Sequence, residues 1–160
     1  MLSNLKLKFI LMDNSKNIDQ LNDLLEKNYD AVAGYKKAKE TISSSTLDNF
    51  FDKQISTRKA LEQDLKEVIT TMGGTPKESG SITGTLHRGW IDFKSFIGSN
   101  DESAIIEECI RGEKASVKEY EDVLDGFSSD KGGLKLKIMN HVNIIKAALV
   151  SLEVREDAQS

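Results

Sequence analysis

The stretch from Glu107 to Phe127 has apolar side chains at the three- and four-residue spacing of a helix that packs on one side. Glu113 occupies a position in the middle of this apolar face. A carboxylate aimed at a core needs a cation, a metal or a hydrogen-bond network, because burying it alone is costly. What Glu113 faces is therefore the main functional question. The apolar residues of the face are Ile106, Ile110, Val117, Tyr120, Leu124 and Phe127.

The same periodicity recurs along the chain and predicts four helices, over about residues 15–42, 47–72, 101–124 and 134–154. The first is expected to start near Ser15 or Asn17. Ser45 or Thr46 is the expected N-cap of the second helix, because these hydroxyls can accept a hydrogen bond from the first turn. Ser99 or Asn100 is the expected N-cap of the third helix. The pair Gly73-Gly74 ends the second helix.

Each predicted helix carries polar residues on its apolar face. Folding the helices in pairs about their turns brings these residues to a similar height in the bundle. We interpret them first as an ion pair between Glu113 and Arg58, supported by neighbouring amide or imidazole groups. Aligning Tyr35 with Tyr120 also places Asn28 on Glu113, which suggests that the two helix pairs are distant repeats. The predicted polar layer consists of Asn28, Gln54, Arg58, Glu113 and His141.

The segment 73–100 is too long for a tight turn and too rich in apolar residues for a disordered linker. It predicts a loop and then a short helix over about 85–97, which crosses from one end of the bundle to the other. Near the start of that helix, His87, Arg88 and Trp90 either pack on the bundle or form an anion or partner site. Residues 1–14 and 155–160 are predicted to be flexible tails around a single domain at 15–154.

Composition supports an all-α domain and restricts the partners. The 160 residues include one Pro and 6% aromatic residues, which fits a helical bundle better than a β-sandwich. The net charge of −4 and the lack of a basic stripe argue against nucleic acid. No apolar run is long enough to cross a membrane. The single cysteine, Cys109, excludes an internal disulfide and suits a reducing cytoplasm.

A metal site is the second interpretation of the polar layer. Helix bundles hold two metal ions with Glu from two helices and Glu-x-x-His from the other two. The second predicted helix has Glu62 followed at the third position by Leu65, where His is required. Arg58 in the same layer would repel a cation. No metal ligand is assigned, and the nearest candidates are Glu113, His141, Glu26 and Glu62.

An enzyme is the third interpretation, with Cys109 or His87 as nucleophile or base. Cys109 lies beside the apolar face, where a small buried residue is expected, and no His with Asp or Glu is placed to activate it. A catalytic role would need a pocket that opens onto one of these residues. No catalytic residue and no cofactor is assigned.

Residues 18–152 resemble a bacterial family of ferritin-like four-helix-bundle domains of unknown function. The resemblance is carried by three segments, LNDLLEKNYDAVAGYKKA, GGTPKESGSITGTLHRGWIDFK and EECIRGEKASVKEYEDVL. The second segment is the most specific, with Gly-Gly-x-Pro, Ser-Gly-Ser and Leu-His-Arg-Gly-Trp. The resemblance implies an antiparallel bundle with one long crossover and implies no established activity.

Together the residues and the resemblance predict an all-α, ferritin-like protein without an intact di-iron site. We expect a non-enzymatic, cytoplasmic, stress-related protein that acts through a protein partner or as a homodimer. The alternative is a divergent protein or oxidase that binds iron or another divalent metal.

Overall fold

Four helices make up the regular structure in the computed structural model, which describes residues 3–80, 101–127 and 133–160. The all-α prediction is confirmed. The short helix predicted at 85–97 lies outside the described residues, and so do His87, Arg88 and Trp90. No described helix is both long and apolar enough to span a bilayer. The helices are α1 (Asn4–Thr41), α2 (Ser45–Thr71), α3 (Glu102–Gly126) and α4 (Leu134–Asp157).

The first and last helices, α1 and α4, are longer than the sequence predicts. α1 begins at Asn4, where Ser3 caps it by accepting a hydrogen bond from the Lys6 amide at 3.3 Å, so the start predicted near Ser15 or Asn17 is wrong. Extending an existing helix costs little per residue, even where side chains such as Leu5 are exposed. α4 continues past the predicted end at residue 154 to Asp157.

Both predicted N-caps in the middle of the chain are wrong by one or two residues. Ser44 caps α2 and accepts from the Leu47 amide at 3.5 Å. Asp101 caps α3 and accepts from the Ala104 amide at 3.1 Å. In each case the capping residue has extended backbone torsions, which aim its side-chain oxygen at the first turn.

Contacts between side chains give the direction of each helix. Asn28 meets Tyr120 and Tyr35 meets Glu113, so α1 and α3 run antiparallel. α1 and α2 are antiparallel because they are neighbours joined by the short turn 42–44, and α3 and α4 form a second such pair.

α2 and α3 consequently run in the same direction, so the end of α2 and the start of α3 lie at opposite ends of the bundle. α2 ends in an αL glycine, Gly73 at φ 83°, and the next amide, of Gly74, donates to the Ile69 carbonyl at 2.9 Å. This is the helix end that the sequence predicts, and the parallel arrangement agrees with the predicted crossover.

The core consists of two apolar clusters. One cluster surrounds Tyr35, Phe51 and Ile106, and the other surrounds Leu65 and Tyr120. Along α1, α2 and α3 the predicted polar positions fall between the residues that enter the two clusters. Most predicted core residues are buried. On the apolar face predicted for the third helix, Val117 and Leu124 are half-buried, and the neighbouring Val123 is buried.

Candidate functional site

Arg58 and Glu113 form an ion pair at the centre of the bundle. Nη2 of Arg58 donates to Oε2 of Glu113 at 2.5 Å, and the two side chains are 2% and 0% exposed. Burial alone would lower the pKa of Arg58, but the charge of Glu113 raises it. The guanidinium therefore stays protonated and neutralises the carboxylate, which is the contact that the sequence predicts.

Asn28 of α1 connects this pair to Tyr120. Its amide oxygen accepts from Nη1 of Arg58 at 2.9 Å. Its amide nitrogen donates to the Leu24 carbonyl at 2.9 Å and to the hydroxyl of Tyr120 at 2.7 Å. Because an asparagine amide has two donors and one acceptor oxygen, these three bonds fix its orientation. Arg58 thus donates one hydrogen bond to α1 and one to α3, rather than two to Glu113.

Tyr35 completes the environment of Glu113 by donating its hydroxyl to Oε1. Burial, reinforced by the Glu113 charge, raises the pKa of Tyr35, so the phenol remains a donor. α1 and α3 therefore exchange equivalent contacts. The tyrosine of each helix bonds the polar residue of the other, Tyr35 to Glu113 and Tyr120 to Asn28. This reciprocity agrees with the repeat suggested by the sequence alignment.

A second set of hydrogen-bonded polar side chains leads from Tyr120 to the surface. The Tyr120 hydroxyl lies 3.3 Å from Nδ1 of His141, and Nε2 of His141 lies 2.6 Å from Oδ2 of Asp64. Lys137 donates to the other carboxylate oxygen of Asp64 at 2.5 Å. Because the Tyr120 oxygen already accepts from Asn28, its proton can point at Nδ1, and the neutral imidazole then carries its proton on Nε2 and donates it to Asp64.

The pKa shifts fit this assignment. Burial lowers the pKa of His141, and the hydrogen bond to Asp64 offsets this only in part. Partial burial would raise the pKa of Asp64, but hydrogen bonds from Lys137 and His141 lower it. Burial raises the pKa of Tyr120 to about 12. The neutral histidine and the ionised aspartate are therefore the favoured forms at neutral pH.

These residues form one continuous hydrogen-bonded chain, which we call the polar chain. It crosses all four helices, from the core to the partly exposed Lys137. Its links fix side-chain positions and leave few free ligands for a substrate. The members, in order, are Tyr35, Glu113, Arg58, Asn28, Tyr120, His141, Asp64 and Lys137.

The structure brings together four of the five residues of the predicted polar layer. Gln54, the fifth, is buried at 6% exposure and instead lines a groove between α2 and α4. Four members of the polar chain, Tyr35, Tyr120, Asp64 and Lys137, are absent from the predicted layer. The two tyrosines were assigned to the apolar face, since a phenol at a core position has the same periodicity as a phenylalanine.

The nearest metal-ligand candidates do not converge. Glu113 is paired with Arg58, and His141 contacts Asp64. Glu26 accepts from Lys77 at 2.8 Å. Glu62 is 6% exposed, and burial raises its pKa. In the parts of the chain that the structure describes, no group of three His, Cys, Asp or Glu side chains could hold a metal ion.

The residues present do not fit a di-iron centre. Such a centre needs several carboxylates around two cations. Here a buried guanidinium lies against the central carboxylate, and its charge would repel a divalent ion. Among residues 3–80, 101–127 and 133–160, the groups that contact the Glu113 carboxylate are thus hydrogen-bond donors, from Tyr35 and Arg58, rather than metal ligands.

Cys109 does not have the environment of a nucleophile. It is fully buried in the apolar cluster of Tyr35 and Phe51. Burial raises the pKa of its thiol far above the ordinary range, which disfavours the reactive thiolate. The structure therefore makes Cys109 a small core residue.

The architecture defines the class of this protein. The order and directions of its four described helices are those of ferritin-like four-helix bundles, and three solved structures share the fold. A Dps1 variant from Mycobacterium smegmatis has 14% identity and a TM-score of 0.77, covering 91% of this chain and 97% of that one. The DPS protein from Vibrio cholerae O1, described as a member of a broad superfamily of ferritin-like diiron-carboxylate proteins, has 17% identity and a TM-score of 0.71, with coverage of 89% and 90%.

A ferritin-like diiron-carboxylate protein from Bacillus anthracis str. Ames has 21% identity and a TM-score of 0.60, with coverage of 91% and 94%. No curated protein matches the sequence. The family model DUF2383, a domain of unknown function, matches residues 16–126. The chain therefore belongs to the DUF2383 family, and the predicted ferritin-like fold is confirmed.

Proposed function

We propose that this protein is a ferritin-like bundle that acts through interactions with other protein chains and that has no intact di-iron site. The observation that carries the proposal is the Arg58 guanidinium 2.5 Å from the Glu113 carboxylate at the centre of the bundle. The ion pair joins α2 to α3 and gives the core charge neutrality without a metal, and the bond from Arg58 to Asn28 adds α1. In this proposal the protein is cytoplasmic and non-enzymatic, and a stress-related role remains an expectation from the resemblance.

The exposed face of α4 supports an interaction role. Leu136, Val150 and Val154 are 68%, 57% and 63% exposed, and Met139 is 46% exposed. Exposed apolar residues that follow one helix favour contact with another chain. A second copy of this chain is the partner that we propose.

A ferrous-iron titration under oxygen tests the metal-free core. Protein purified without tag or chelator is analysed for metals and then titrated, beside Glu113→Gln and the exposed control Glu107→Gln. We expect no stoichiometric metal and no oxidation above the buffer rate. About two equivalents of iron per chain, the content of a di-iron bundle, lost in Glu113→Gln and kept in Glu107→Gln, would overturn the proposal.

Sedimentation equilibrium tests the interaction role. We expect concentration-dependent dimers, weakened by Val150→Lys and unchanged by Ala33→Lys, which changes an exposed residue on α1. A chain that stays monomeric at all concentrations would contradict self-association through α4. Circular dichroism of each variant confirms that the fold is kept.

A divergent metal-binding protein is the second candidate. One observation favours it: Oε1 of Glu62 is buried and has no hydrogen-bond partner. The same titration decides, with Glu62→Gln as a further variant. Metal that is lost in Glu62→Gln but kept in Glu107→Gln would support this candidate.

A further inference from the structure

A groove lies between α2 and α4, nearer the turn that joins α1 to α2 than the Asp64–His141 contact, which also joins these two helices. Its volume is ≈ 620 Å³, within the range of small-molecule sites. α4 contributes small side chains here, Ala147, Ala148 and Ser151, which leave space that larger residues would fill. The groove is therefore built into the sequence of α4.

Gln54 is a buried polar group without a partner at this groove. The residue is 6% exposed and lines the groove, and its amide makes no hydrogen bond with any other residue in the described part of the chain. Its amide atoms reach the solvent of the groove, so a bound ligand would take the place of water there. A ligand in the groove could accept from its nitrogen or donate to its oxygen.

The charged residues of the groove are both cations. Among the lining residues that the structure describes, only Lys53 and Arg155 carry a charge. The Arg155 guanidinium lies over the ring of Phe50, with Cζ 5.0 Å from the ring centroid. Its Nε is buried and has no hydrogen-bond partner. Neither cation forms an ion pair within residues 3–80, 101–127 and 133–160, so both charges are available to an anion.

Both walls also offer apolar contact, Phe50 from α2 and Ile144 from α4. Phe50 and Ile144 line the groove beside the alanines of α4. An anion small enough for this volume can place its charged group between the cations and an apolar body against Phe50 and Ile144. Gln54 would bond the polar end, since it shares the α2 wall with Lys53.

We propose that this groove binds a small organic anion, an acid group attached to an aromatic or branched apolar body. The site is separate from the ion-paired core and from the exposed α4 residues of the proposed function. Three features define it: the unpartnered Gln54 amide, the Lys53 and Arg155 charges, and the space left by Ser151 and its neighbours.

Fluorescence titration with anilinonaphthalene sulfonate tests this site, because the probe joins an anionic group to an aromatic body. Uncharged phenylnaphthylamine is the matched probe without the charge. We expect saturable binding of the anionic probe, weakened about tenfold in Lys53→Gln and in Arg155→Gln, the change that corresponds to about 1.4 kcal/mol. Lys59→Gln, an exposed lysine of α2 outside the groove, should bind as the unaltered protein does.

Ser151→Leu adds the missing volume and should abolish binding. Thermal unfolding by circular dichroism shows whether each variant is folded, and the two charge variants decide the question if Ser151→Leu is not. The proposal fails if the anionic probe does not bind, or if the uncharged probe binds as tightly. It also fails if Lys53→Gln and Arg155→Gln leave the affinity unchanged.

Discussion

Two ion pairs of the polar chain have the same length and different surroundings. Arg58 to Glu113 and Lys137 to Asp64 both measure 2.5 Å between nitrogen and oxygen. The first pair has side-chain exposures of 2% and 0%, and the second has 40% and 30%. Distance alone therefore does not rank them, because water can solvate the second pair after one partner is removed and cannot solvate the first.

The comparison explains how the core tolerates a charge. Removing one partner of a buried pair leaves an uncompensated ion, whereas an exposed pair contributes little. Between the two pairs lie Asn28, Tyr120 and His141, which transmit hydrogen bonds but carry no net charge. Substitutions along the polar chain, from the core outwards, should therefore have successively smaller effects on the free energy of unfolding.

The largest effect is expected from Glu113→Leu, which leaves the Arg58 guanidinium buried and unpaired. We expect a loss of about 3–5 kcal/mol in the free energy of unfolding, measured by urea denaturation. The double variant Arg58→Met/Glu113→Leu should be more stable than the single one, because it removes both charges. A single variant as stable as the unaltered protein would show that Arg58 reaches water.

Tyr120→Phe should have the next largest effect, because it removes the hydroxyl that joins Asn28 to His141 and leaves both without that partner. We expect a loss of about 1–3 kcal/mol. Tyr29→Phe is the matched control, since the Tyr29 hydroxyl donates to the Lys77 carbonyl at 3.0 Å in an exposed position. Equal losses in the two variants would contradict the connecting role of Tyr120.

His141 should make stability depend on pH. Its pKa is lowered in the folded protein, so on acidification the unfolded chain takes up the proton first and stability falls. The loss should begin near the ordinary histidine pKa of about 6.5 and continue down to the lower folded value, with a slope of at most about 1.4 kcal/mol per pH unit.

Urea denaturation between about pH 5 and 8 measures this slope, since that interval contains the ordinary histidine pKa. The difference between the unaltered protein and His141→Asn isolates the contribution of His141, because other titrating groups are common to both. An unchanged slope in His141→Asn would contradict a neutral, buried His141.

Lys137→Met should have the smallest effect, about 0.2–1 kcal/mol, because the Lys137–Asp64 pair is partly solvated. The lysine contributes to the lowered pKa of Asp64 and of His141, so both pKa values should rise in the variant. NMR titration of the His141 ring measures the second shift. A loss as large as that in Glu113→Leu would show that the two pairs are equivalent.

The sequence predicted five polar positions inside the bundle, and the structure buries all five, together with others such as Asn17 and Ser116. It did not predict the contacts of Tyr120 or Asp64. A phenol at a core position is indistinguishable from an apolar residue by periodicity. Asp64 is only half-buried, and its contact with His141 joins residues 77 positions apart. The alignment of Tyr35 with Tyr120 did contain a signal, because each tyrosine bonds the polar residue of the other repeat.

The sequence did not predict the groove, again because periodicity does not give the contacts of a buried residue. Gln54 occupies a core position by periodicity, and the sequence therefore placed it beside Arg58 in the polar layer. In the structure it lies on the part of α2 that faces the small residues of α4. Small residues at helical spacing predict either close helix packing or open space, and only the distance between α2 and α4 distinguishes the two.

Local periodicity thus determined the four helices that the structure describes, their inward faces and five of the polar residues on those faces. Only the tertiary structure decided that Arg58 donates to both Glu113 and Asn28, that His141 meets Asp64, and that Gln54 has no partner among the described residues. The physical reason is that the period of a helix sets the angle at which a side chain leaves its axis. The axial offset and the separation between helices arise from packing between distant parts of the chain.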